Sequence, residues 1–90
     1  MQVKVRYLGK VRSVTEKLEE TVNVNGKTIK ELLERLCEIY GDKFKKMILP
    51  GNKLAEDIII LVNGKSIGEN LDFELNDGDI CSLLPFVSGG

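Results

Sequence analysis

One stretch of this 90-residue chain restricts its fold more than any other. Thr28-Ile29-Lys30-Glu31 has the form of a capping box: the threonine hydroxyl can accept a backbone N–H, and the glutamate can reach back to the cap. Behind it, Ile29, Leu32, Leu33, Leu36, Ile39 and Tyr40 fall on one stripe at the helical period. Lys30, Glu34, Arg35 and Glu38 take the wet side, Cys37 lies at the edge of the stripe, and Gly41 stops the helix in the C′ position. Residues 43–49 can add a short helical turn before Pro50-Gly51 breaks it. The rest of the chain reads as strands and turns. One helix cannot cover both faces of a sheet, so it must lie across one face and leave the other wet or available to partners.

The strands follow from alternation and turn signals. Residues 2–8 place Val3, Val5 and Tyr7 on one side and Lys4, Arg6 and Leu8 on the other, and Gly9 ends the run. Residues 10–17 are mostly polar and read as a connection. Leu18, Val22 and Val24 share the parity of a second strand, closed by Asn25-Gly26. Ile58-Ile59-Ile60-Leu61-Val62 is short, apolar and largely β-branched, which predicts an interior strand ending at Asn63-Gly64. Lys65-Ser66-Ile67 can pair back after that turn. Leu71, Phe73 and Leu75 are apolar anchors of a loop or one-turn helix. Asn76-Asp77-Gly78-Asp79 is a tight turn before a last strand at residues 80–84. This order predicts an α+β fold of the β-grasp, or ubiquitin-like, kind. It has a mixed sheet of four to five strands and one main helix on one face. Residues 1–84 form the domain, and residues 85–90 are expected to be a flexible C-terminal Gly-Gly tail.

Several function classes find little support in the composition. The net charge of −1 gives no bulk attraction for nucleic acid, and the aromatic residues form no basic strip for base stacking. No apolar run is long enough to cross a bilayer, and the alternating start of the chain does not look like a signal peptide, so a cytoplasmic protein is expected. There is no histidine, no glycine-rich phosphate loop and too few Cys or His residues for structural zinc; no metal is expected. Cys37 and Cys81 each lie in an apolar element and read as small hydrophobes without an activating neighbour. Glu69, Asp72, Glu74, Asp77 and Asp79 make the region before the last strand acidic. They are either solvated turn residues or a docking patch for a basic partner.

The remaining candidate is the end of the chain. Glycine has no side chain to clash and adopts any backbone conformation, so Gly89-Gly90 can enter a narrow active site in another protein. A frayed end would look the same. The residues before it carry more information. Leu75-Asn76-Asp77-Gly78-Asp79 and Leu84-Pro85-Phe86-Val87-Ser88-Gly89-Gly90 resemble the MoaD/ThiS family of ubiquitin-like sulfur carriers, with the tail most similar to the MoaD pattern. Residues 3–12 are similar to that family's opening strand and following arginine, and Ile60-Leu61-Val62-Asn63-Gly64-Lys65 to its central strand and turn. Phe86 departs from the pattern, which commonly has a second proline there, and residues 43–57 match loosely.

The resemblance implies that the chain is a substrate of enzymes rather than an enzyme. The Gly90 carboxylate would be adenylated by a MoeB- or ubiquitin-activating-type enzyme using ATP, with no cofactor bound to the carrier itself. A sulfur donor protein would convert the acyl-adenylate to a thiocarboxylate. A MoaE-type large subunit would then take the sulfur into the molybdopterin of the molybdenum or tungsten cofactor. Gly89 and Ser88 would be slender spacers, and Val87 and Phe86 apolar anchors for the partner. For Phe86 the alternative is packing on the protein's own core; Leu84 is expected in that core. Related readings are a modifier joined through Gly90 to lysines, a carrier for tRNA thiolation or thiamine thiazole synthesis, and a β-grasp interaction module.

Overall fold

Alternation of apolar and charged residues opens the chain as strand β1, Gln2–Tyr7, in a computed structural model that describes residues 1–86. The elements that follow are α1 (Lys10–Thr15), β2 (Glu19–Asn23), α2 (Ile29–Tyr40), α3 (Asp42–Ile48), β3 (Ile58–Val62), β4 (Lys65–Ser66) and β5 (Ile80–Pro85). The strands form one sheet in the order β2-β1-β5-β3-β4. β1 and β5 run parallel, and the other neighbours are antiparallel. This is the expected β-grasp, with α2 as its main helix.

The capping box at Thr28 forms as the sequence predicts. Thr28 Oγ1 accepts from the Glu31 N–H at 3.3 Å, and Glu31 Oε1 accepts from the Thr28 N–H, also at 3.3 Å. Two further N–H groups of the first turn find partners in the 71–75 loop: Ile29 donates to Phe73 O and Lys30 to Leu71 O. The loop thus satisfies donors that a helix start leaves open, while Leu75 joins the core. Ile29, Leu32, Leu33 and Leu36 are fully buried against Val3, Val5, Tyr7, Ile60, Cys81 and Leu83 of the sheet.

Four expectations change. Residues 10–15 are helix α1, not an irregular connection; Val11 is fully buried and Val14 packs against the core. The segment is rich in β-branched residues, so tertiary packing rather than intrinsic preference holds it helical. Leu18 is 48% exposed, because β2 begins after it and its inward row is Glu20 and Val22. Ile39 is also exposed: at 100° per residue it falls about 80° from Ile29, at the rim of the stripe. Leu84 is not in the core. Its partner in the register is Ile59, and both sit half-buried on the face that α2 leaves open.

Candidate functional site

The last strand is the middle strand of the sheet. β5 pairs with β1 from Lys4↔Ile80 to Tyr7↔Leu83, and with β3 from Val62↔Cys81 to Ile58↔Pro85. The turn that launches it is built by its own polar residues. Gln2 N–H donates to Asp77 Oδ1 at 2.7 Å, and Asn76 N–H donates to Asp79 Oδ2 at 2.8 Å. Asn63 Nδ2 donates to Asp79 Oδ1, and Asn63 Oδ1 accepts from the Ile80 N–H, both at 3.0 Å. Asp77 and Asp79 are therefore turn residues that fix where β5 starts.

At its far end β5 runs through Pro85, one residue beyond the expected bound. Three features surround this exit. Phe86 N–H donates to Asp57 O at 2.6 Å. The Asp57 carboxylate is paired with Lys10 Nζ, whose hydrogen bond holds it below the usual carboxylate range. Gly9 lies under the Pro85 ring: a Cβ there would meet Pro85 Cγ at 2.8 Å. The Phe86 side chain is 55% exposed, so it does not pack into the protein's own core. Val87, Ser88, Gly89 and Gly90 lie outside the described residues.

The open face of the sheet leads to this exit. Ile59, Leu61 and Leu84 are half-buried on it, Ile80 is exposed, and Lys4 and Arg6 flank them. Leu84 does not take the core place expected of it, because in a middle strand either member of the pair Leu83-Leu84 can face inward and here it is Leu83. Phe86 is the member of the expected tail set that the structure places, next to this apolar strip in sequence.

A second polar cluster sits at the other edge. Glu20 occupies an inward position of β2, where its Oε2 accepts from Tyr7 Oη at 2.5 Å and also from Tyr40 Oη. Lys17 Nζ donates to Oε1 at 3.1 Å. Burial opposes the Glu20 charge, but hydrogen bonds from Tyr40, Tyr7 and Lys17 outweigh it and hold the carboxyl below its ordinary range. Burial, and then Glu20 itself, push the Tyr7 hydroxyl well above its usual value. The cluster is closed on itself, with each donor matched.

The thiols are protonated at neutral pH. Burial and then the Asp79 charge raise Cys81 to about 12, and burial raises half-buried Cys37. Cys37 lines a groove of 460 Å³ with Glu34, Glu38, Lys45, Leu49 and Asn52. A protonated thiol there is a poor nucleophile. Among the described residues, no three His, Cys, Asp or Glu side chains gather as metal ligands, and no helix is long and apolar enough to cross a membrane.

Residues 5–90 match the family model described as the ThiS family. An Archaeoglobus fulgidus protein described as a "putative sulfur carrier protein" is 34% identical over 65 residues, covering 70% of this chain and 74% of its own. The fold superposes on the small archaeal modifier protein 1 of Methanosarcina acetivorans with a TM-score of 0.83 and 30% identity, over 99% of this chain and 96% of the other. It also superposes on a chain from the complex of subunits 1 and 2 of the Helicobacter pylori molybdopterin-converting factor. There the TM-score is 0.66 and the identity 32%, with 100% of both chains covered. An exposed strand exit, a glycine-rich end in the sequence and a family match over residues 5–90 agree: this chain belongs to the ThiS family of ubiquitin-like sulfur carriers and small modifiers.

Proposed function

We propose that this protein carries sulfur as a thiocarboxylate on Gly90 and donates it in molybdopterin synthesis. The carboxylate oxygen attacks the α-phosphorus of ATP in the active site of a MoeB-type enzyme, and pyrophosphate leaves. A persulfide on the donor protein then attacks the acyl carbon, AMP leaves with the carboxyl oxygen, and a second thiol of the donor cleaves the resulting acyl disulfide, releasing the thiocarboxylate and leaving a disulfide on the donor. Delivery follows when the tail enters a large subunit of the MoaE type. The carrier contributes no acid or base to these steps. It contributes shape: a middle strand ending in Pro85, an exposed Phe86, and Val87, Ser88 and Gly89 ahead of the acyl end.

The observation that carries this reading is the exit of β5 beside an open apolar face. Ile59, Leu61 and Leu84 supply apolar area for docking, and the Phe86 side chain is free to enter a partner's pocket. The similarity to a chain of the complex between subunits 1 and 2 of a molybdopterin-converting factor supports the choice of acceptor. Intact mass spectrometry of the protein from its native cells should show a fraction with one oxygen exchanged for sulfur. Free carboxylate alone, even with a cognate activating enzyme, ATP and a sulfur source, would defeat the proposal.

The similarity to a small archaeal modifier protein favours a second role, in which the activated Gly90 acylates lysines of other proteins. Digests of native lysate would then contain lysines bearing remnants of this tail, and their absence under sulfur limitation would remove that role. Deleting Gly90 should abolish either activity and leave the melting temperature unchanged, because a terminal glycine has no side chain to pack.

A further inference from the structure

We propose that Gly9, Lys10 and Asp57 act as a collar that fixes the base of the C-terminal segment, making them positioning residues for activation of Gly90. The inference rests on the carrier reading above. Gly9 caps α1, Lys10 is its first residue and Asp57 directly precedes β3, so the three stand on opposite sides of Pro85–Phe86. Gly9 adopts φ 56° and ψ −135°, a conformation that residues with a Cβ avoid. It also gives the Pro85 ring its seat, since a Cβ at that position would come within 2.8 Å of Cγ and 3.0 Å of Cδ. Two independent constraints therefore require glycine at one site, and one of them exists only because the proline is there.

Asp57 closes the other side. Its carbonyl takes the Phe86 N–H, the last backbone hydrogen bond of the described chain. Its carboxylate is tied to Lys10, the residue next to Gly9. The ion pair thus links the two walls of the collar across the exit. Leu8 N–H adds a bond to Leu83 O at 3.1 Å on the same side. Both side chains are about half exposed, 43% for Lys10 and 53% for Asp57, and neither belongs to the buried cluster.

The purpose follows from reach. The four residues after Phe86 can extend at most about 14 Å, at about 3.5 Å each. With the collar closed, a partner docked on the open face meets Gly90 within that fixed radius. With the collar open, Phe86 loses its bond to Asp57 while Pro85 keeps its place opposite Ile58, the reach to Gly90 is counted from one residue earlier, and fewer conformers place the carboxylate at ATP. The face of Ile59, Leu61 and Leu84 is unchanged and the Phe86 ring stays exposed in either state, so docking changes little. The loss falls on the chemical step.

The test uses pyrophosphate–ATP exchange catalysed by the adenylating enzyme of the same cells, with the full 90-residue chain as substrate, alongside amide hydrogen exchange of Phe86 in the free protein. In the wild type the Phe86 amide should exchange at least about tenfold more slowly than a free peptide amide. Lys10→Asp should remove that protection and lower kcat by about tenfold with KM within about twofold. Lys10→Arg should keep both, and the double exchange Lys10→Asp with Asp57→Lys should restore both. Gly9→Ala should reproduce the kcat loss by displacing Pro85. The collar is overturned if the wild-type Phe86 amide is unprotected, if Lys10→Asp leaves kcat unaltered, if it changes KM alone, or if the double exchange fails to restore kcat. A wild-type chain that gives no exchange at all sinks the carrier reading and the positioning role with it. Wild-type exchange with an unaltered Lys10→Asp variant sinks the collar alone.

Discussion

Replacing Glu20 by alanine strands the Tyr7 hydroxyl. Tyr7 is fully buried, and its Oη donates to Glu20 Oε2 at 2.5 Å. Tyr40 donates to the same oxygen, and Lys17 to the other. Hydrogen bonds to a charged acceptor contribute about 1.5–3 kcal/mol each, and a buried donor left without a partner costs about 1–3 kcal/mol. Tyr40 and Lys17 can turn to water; Tyr7 cannot. The expected cost of Glu20→Ala is therefore about 3 kcal/mol, dominated by one hydroxyl. Urea denaturation reads it directly: with m near 1 kcal/mol/M, the midpoint should fall by about 3 M with no change in slope. A double-mutant cycle isolates the cause. Tyr7→Phe alone should destabilise by about 1–2 kcal/mol, but in the Glu20→Ala background it should be neutral or stabilising, because it removes the stranded donor. If Tyr7→Phe costs the same in both backgrounds, the hydroxyl does not depend on Glu20 and the reasoning fails.

The same carboxylate sets an acid limit. Its pKa is lowered on folding, so its contribution is present above the unfolded value, near 4.3, and is lost as pH falls through the lower folded value. Thermal melts of the wild type should lose stability below about pH 4 more steeply than those of Glu20→Gln. Leu83→Ala should cost about 3 kcal/mol and Leu84→Ala only about 1 kcal/mol, since the first is fully buried and the second lies on the open face; equal midpoint shifts in urea would contradict the placement. Thr28→Ala should cost about 1 kcal/mol by removing the cap of α2, measurable in the same titration. Iodoacetamide at neutral pH should label Cys37 slowly and leave Cys81 unlabelled until the protein unfolds.

What was legible in the chain was local. The Thr28–Glu31 box, the stripe of α2, the alternation of β1 and the turns at Asn63-Gly64 and Asp77-Gly78 are written within a few residues of one another, and each appears where the pattern places it. What escaped was written across the chain. Strand parity puts Glu20 on the row of Leu18, Val22 and Val24, but nothing beside it in sequence shows that Tyr7 and Tyr40, 13 and 20 residues away, bring hydroxyls to it. The collar joins Gly9 to Pro85 and Lys10 to Asp57, and neither partner marks the other in sequence. Leu84 shows a different limit. A strand with neighbours on both sides is apolar on both faces, so its composition cannot tell which leucine the helix covers. The continuous run at 58–62 has the same ambiguity, and the structure resolves it with Ile58, Ile60 and Val62 inside.

The placement of β5 separates two properties that a carrier has to keep apart. Its backbone is bonded to β1 on one side and to β3 on the other, so detaching it means opening two ladders. Its base then has the stability of the whole domain rather than of a fraying edge. The segment beyond Phe86 contributes one valine, one serine and two glycines, which offer little apolar area. On the carrier reading, affinity for a partner must come from Phe86 and from the face that Ile59, Leu61 and Leu84 share, while Gly90 supplies chemistry and almost no binding. On that reading the division would let adenylating enzyme, sulfur donor and acceptor engage one docking face in turn. Each can recognise the protein whether its end is a carboxylate, an adenylate or a thiocarboxylate. A tail that carried the affinity itself would bind each partner differently after every step, and transfer between them would stall on the tightest.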